Sequence, residues 1–145
     1  VEPVEVGGRP RFEVVFQNTD ADDLMLHLGI MLNNGRQQYM KHVELTVFTA
    51  DGGSITFEQT VGSVAGRVDP MVLTLPDGGQ FSAILDTARM FPMKINADLK
   101  NSVWTHATVA FNGTKVELWN VNDDLVGMTL MPVWEGAITS EKLEL

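Results

Sequence analysis

The sequence predicts an all-β protein, an antiparallel β-sandwich of about nine strands, and three observations carry that prediction. Short segments with alternating apolar and polar residues recur along the whole chain. Clusters of Gly, Asn, Asp and Pro punctuate them roughly every 8 to 12 positions, the spacing of short strands joined by turns. No segment sustains the period of an amphipathic helix. A sandwich fits better than a closed barrel because hairpins dominate and the connection over residues 61–69 is long enough to cross between sheets.

Residues 1–10 form an extended arm or edge strand: Val4 and Val6 share a face, but Pro3, Gly7, Gly8 and Pro10 interrupt the pattern. Residues 11–145 make the sandwich domain. Phe12, Val14 and Phe16 alternate with polar neighbours as a half-buried strand. Residues 24–32, LMLHLGIML, are apolar on both sides of Gly29, which predicts a strand crossing the core with a bend or bulge at that glycine. Asn33-Asn34-Gly35 closes it.

Residues 43–49 and 54–60 flank Asp51-Gly52-Gly53 and predict a hairpin. Residues 61–68 read as a loop, 71–75 as a short strand, Pro76-Asp77-Gly78-Gly79 as a turn and 80–85 as another strand. Asp86 can cap one helical turn before Pro92 stops it. Residues 102–111 alternate most clearly. They run into Asn112-Gly113, so residues 114–121 are expected to return as the second arm of a hairpin. A further strand is expected over 125–131 and a last one over 137–145.

At 145 residues the chain is the size of one domain and needs no covalent staple to build a core. It contains no cysteine, which excludes disulfides, zinc thiolates and thiol nucleophiles. The formal net charge of −9 argues against nucleic acid. No apolar run reaches the roughly 18 to 20 residues of a membrane span. Val1 in place of Met is consistent with removal of a signal peptide or with a trimmed chain, and the location expected is extracytoplasmic.

No nucleophile elbow, zincin helix, Walker loop or dinucleotide fingerprint occurs, so the expectation is a protein that is not an enzyme and has no cofactor. His27 lies inside an apolar run and reads as a core or interface residue, whereas His42 and His106 read as exposed. Two metals are the alternatives to that expectation. Asp20, Asp22 and Asp23 offer clustered carboxylates to calcium, with Asp51 and the pair Asp123-Asp124 in other loops. The eight methionines, including Met90 with Met93 and Met128 with Met131, offer soft sulfur to copper, although methionine is also common core filler. Trp104 and Trp119 flank the Asn-Gly pair at positions opposite in parity to the core residues. They are expected on the outer face, able to pack against a partner chain.

Several stretches carry a resemblance: Asn18-Thr19; Leu26, Leu28-Gly29 and Met31-Leu32 with Asn34-Gly35-Arg36; Ala65-Gly66-Arg67-Val68-Asp69-Pro70 with Leu75-Pro76; and Met131-Pro132, Trp134, Gly136 and Ser140. With these the chain resembles a group of uncharacterised bacterial proteins that look like exported, single-domain, immunoglobulin-like β-sandwiches. The resemblance implies the fold and an extracytoplasmic, periplasmic or secreted location, and it implies no activity. Together these features lead to the expectation of an interaction or assembly module. It would associate with a protein partner or with itself through sheet edges, the terminal arm (Val4, Val6) or the aromatic face (Trp104, Trp119). The alternative is a metal-binding or small-ligand-binding domain.

Overall fold

A computed structural model describes residues 2–6, 9–62, 66, 68–98, 101–114 and 133–145, with the backbone alone for residues 2–6 and 9. The fold is all-β, built of several antiparallel sheets in the manner of a β-sandwich. Twelve strands lie among the described residues: β1 (Glu2–Val6), β2 (Arg9–Gln17), β3 (Leu24–Leu32), β4 (Gln37–Tyr39), β5 (Val43–Thr49), β6 (Ser54–Glu58), β7 (Val68–Leu75), β8 (Gln80–Asp86), β9 (Phe91–Asn96), β10 (Trp104–Gly113), β11 (Gly136–Thr139) and β12 (Leu143–Glu144). One sheet runs β1-β2-β8 and a second β4-β3-β7. The third runs β11-β10-β5-β6-β9, with β12 also on β10.

Alternation decides which side chains are inside. Phe12, Val14 and Phe16 of β2 and Leu85 of β8 are buried with Leu26 and Leu28 of β3 and Met71 and Leu75 of β7. In the same cluster the largest sheet contributes Val43, Leu45, Val47, Ile55, Phe57, Ala107, Val109 and Phe111. Phe16 of β2 meets Phe111 of β10 edge-on, with ring centroids 5.6 Å apart.

Gly29 is the bulge that the sequence predicts. The β3–β7 register shifts between His27 and Gly29, and Gly29 has φ +154°. A side chain there would collide with the carbonyl oxygen of Tyr39 and the amide of Lys41, so the β4–β5 link lies directly on the bulge. After β3, Asn33, Asn34 and Gly35 all take positive φ, the conformation Asn and Gly tolerate, and turn the chain into β4.

The Asp51-Gly52-Gly53 hairpin and the cap at Asp86 are present as expected. Asp86 accepts from the Ala88 amide at 2.9 Å and opens a single 3₁₀ turn, Thr87–Arg89. Strand β7 starts at Val68, three residues earlier than expected. Pro70 is accommodated because β7 is an outer strand of its sheet and needs no donor on that side.

Three expectations are corrected. Asn112-Gly113 is not a hairpin turn. Both residues extend β10 and pair with Ala137 and Gly136 of β11. The bare glycine pair admits the Trp134 indole, whose Cε3 would lie 2.5 Å from a Cβ on Gly113. The indole stacks on Phe111, with ring centroids 5.6 Å apart. Residues 115–132, which hold the expected return strand, Trp119 and the Met128–Met131 pair, lie outside the described residues.

Trp104 is not on the outer face either. The β5–β10 register shifts between Trp104 and His106, which reverses parity and sets Trp104 opposite the buried Thr49. It packs at the core margin against Phe57, ring centroids 5.9 Å apart. Finally, Phe91–Asn96 is a strand, β9, where the sequence offered only a stop at Pro92. Proline is tolerated because β9 is the outermost strand of its sheet.

Candidate functional site

Among the described residues the sheets expose several edges, and they differ in charge. Strand β1 carries Glu2 and Glu5, β7 carries Asp69, β8 ends in Asp86 and β12 carries Glu144, while β4 is only three residues long. The edge formed by β9, with sequence FPMKIN, has no acidic residue and one lysine, Lys94. All six of its residues are exposed, with Phe91 at 57 %, Met93 at 53 % and Ile95 at 51 %. A bulge between Thr56 and Phe57 of the β6–β9 pairing leaves Met93 without an opposite residue. Phe91 and Ile95 therefore point to opposite sides of the edge.

The terminal segments are paired within the chain. β1 lies antiparallel on β2, and of Val4 and Val6 the structure describes the backbone alone. The C-terminal residues run along β10, held by β11, by β12 and by a hydrogen bond from the Leu145 amide to the Thr105 carbonyl at 2.9 Å.

Asp20, Asp22 and Asp23 are exposed and do not converge. Their loop is organised by Asn18 instead. This buried side chain donates through Nδ2 to the carbonyls of Asp22, Leu75 and Pro76 and accepts through Oδ1 from the Asp20 amide. Asp23 accepts from the Asp77 amide at 3.2 Å, in the turn leading to β8. Among the described residues no three His, Cys, Asp or Glu side chains gather as a metal site. Met90 is buried in the core whereas Met93 is exposed, so these two sulfurs do not converge.

A cleft of about 830 Å³ lies between β8 and the β4 region and is lined by Arg11, Arg36 and Arg89 together with Gln37, Gln38 and Gln59. Asp86, also in its wall, engages two of these arginines, at 3.1 Å from Arg11 and 3.9 Å from Arg89. Much of the positive charge is thus answered from within.

The histidines are arranged otherwise than the sequence suggests. His106 stacks flat on Phe48, ring centroids 4.4 Å apart. His27 and His42 meet, with centroids 4.7 Å apart and planes at 61°. Three backbone segments bring them together: the bulge at Gly29, the link before β5, whose His42 amide donates to the Leu28 carbonyl, and the end of β10, whose Asn112 amide donates to the His42 carbonyl. Thr114 follows that end, and its Oγ1 lies 3.4 Å from both His27 Nδ1 and His42 Nε2. Burial, with smaller contributions from His27 and Lys41, holds the His42 pKa below its ordinary value.

Among the described residues the protein is all-β and antiparallel, with a six-residue apolar edge without carboxylates at β9, a shorter uncharged one at β11, and a half-buried imidazole pair. No protein-family model, curated protein or solved structure matches the chain. Among the described residues no helix is long and apolar enough to cross a membrane.

Proposed function

We propose that this protein is a non-enzymatic, immunoglobulin-like β-sandwich of the bacterial cell exterior or periplasm that assembles with a second copy of itself through β9. The supporting observation is that edge strand: unpaired on its outer side among the described residues, exposed along its whole length, and apolar at Phe91, Met93 and Ile95. A strand in this position leaves backbone donors and acceptors that an added strand can satisfy.

Charge selects both the edge and the occupant. Two chains of net charge −9 repel each other across most of their surface, and β9 is the long described edge where they can approach without opposing carboxylates. Antiparallel β9–β9 pairing about a two-fold axis continues the largest sheet from one copy into the next. Pro92 and Lys94 interrupt the pairing, so the contact is short.

Half-exposed apolar side chains contribute about 1 kcal/mol each on full burial. Three from each copy barely offset an association cost of about 4 kcal/mol or more. The dimer is accordingly weak and concentration-dependent.

Amide hydrogen exchange tests the reading. Protection of residues 91–96 should rise with protein concentration in the wild type and stay at its dilute level in the F91E/I95E variant, whose substituted positions are already solvent-exposed. Equal exchange of these amides at low and high concentration counts against it.

A further inference from the structure

We infer that His27 and His42 together form a binding site for a divalent transition-metal ion of borderline softness, Zn²⁺ or Cu²⁺, with Thr114 beside it. The inference rests on geometry separate from β9 and does not depend on self-association.

The tautomer of neutral His27 is fixed by its partner. His27 Nε2 lies 2.9 Å from the Gly29 carbonyl oxygen, which can only accept, so the proton sits on Nε2 and the lone pair on Nδ1. That lone pair is directed at Thr114 Oγ1, and so is Nε2 of His42. The Thr114 hydroxyl can accept from one ring and donate to the other, but both contacts are long at 3.4 Å, so the bridge it makes is weak. Among the described residues, two ring nitrogens thus approach one exposed hydroxyl that bridges them weakly.

With the ring centroids 4.7 Å apart and a nitrogen of each facing the same hydroxyl, a metal ion can take the place of that weak bridge, and imidazole suits zinc and copper. The Gly29 carbonyl then has the part of an outer-shell acceptor that orients the ring of a metal-bound histidine. The bulge is what provides it, because the register shift between His27 and Gly29 turns that carbonyl toward the ring two residues earlier. Thr114 is exposed, so water can complete the coordination. Among the described residues the site has two imidazoles and no carboxylate, and the chain has no cysteine, so binding is weaker than at a site of three or four protein ligands.

The test is calorimetric titration of the full chain, free of any histidine tag, with ZnCl₂ and separately with CuCl₂. It compares wild type with H27Q, H42Q and H106Q. One ion per chain is expected, with affinity at least about tenfold weaker in H27Q and in H42Q, while H106Q binds as the wild type does. Imidazole proton resonances of the wild type provide a second readout that needs no variant: Zn²⁺ should shift those of His27 and His42 and leave His106 in place. Absence of saturable binding, binding that survives both H27Q and H42Q, or shifts confined to His106 would overturn the assignment.

Discussion

Single residues explain much of how this chain is bent into place, and Gly29 is the clearest case. Its φ of +154° and the backbone of Tyr39 and Lys41 pressed against it leave no room for a side chain. Gly29→Ala should therefore cost about 3 kcal/mol in urea unfolding, since strain and collision coincide at one position. Asp51 offers a second test at this scale. The Thr49 hydroxyl, donating to it at 2.5 Å, and then the Gly53 amide hold its pKa below the ordinary carboxylate value. A carboxylate with a depressed native pKa stabilises the fold above the unfolded value, and that contribution is lost as pH falls through the native value. In Thr49→Val the Asp51 carboxyl should titrate at higher pH by NMR, and the stability lost on acidification should shrink.

Between elements, Asn18 is the joint. It follows the last residue of β2, and its side chain ties the following loop to the start of the β7–β8 turn through Leu75 and Pro76. Asn18→Ala would remove the donor to the buried Leu75 carbonyl and to the half-buried carbonyls of Asp22 and Pro76, and should cost about 2 kcal/mol, measured by chemical denaturation.

Elements also show where sequence reading succeeds. β2, β3, β5, β6 and β8 were legible because period-2 alternation and glycine turns act locally, and the single glycine in LMLHLGIML marked its own bulge. Where it failed, a distant partner overrode the local signal. A bulge in β10 reversed the parity of Trp104, and Trp134 claimed Gly113 for packing that an Asn-Gly turn would otherwise explain. Pro92 concealed β9, since only its outer position in the sheet makes proline acceptable there.

The site was less legible than the fold. His27 and His42 are 15 positions apart, and nothing in their local sequence announces a meeting that depends on the bulge, the β4–β5 link and the end of β10 together. The one available hint was a histidine two residues before a glycine in an otherwise apolar strand.

For the whole molecule, charge and edge chemistry act against each other. A net charge of −9 keeps copies apart, whereas the proposed pairing along β9 brings exposed apolar side chains together on both sides of the edge. Salt screens the first term far more than the second, so association should strengthen as ionic strength rises. A contact made of surface ion pairs would weaken instead.

The most direct test is sedimentation equilibrium over a wide concentration range at low and high salt. The account predicts a mass that rises from the 16.0 kDa monomer toward twice that value, earlier at high salt, and that stays at the monomer in F91E/I95E. A wild-type chain of monomer mass under every condition, or a dimer indifferent to the β9 substitutions, would contradict it.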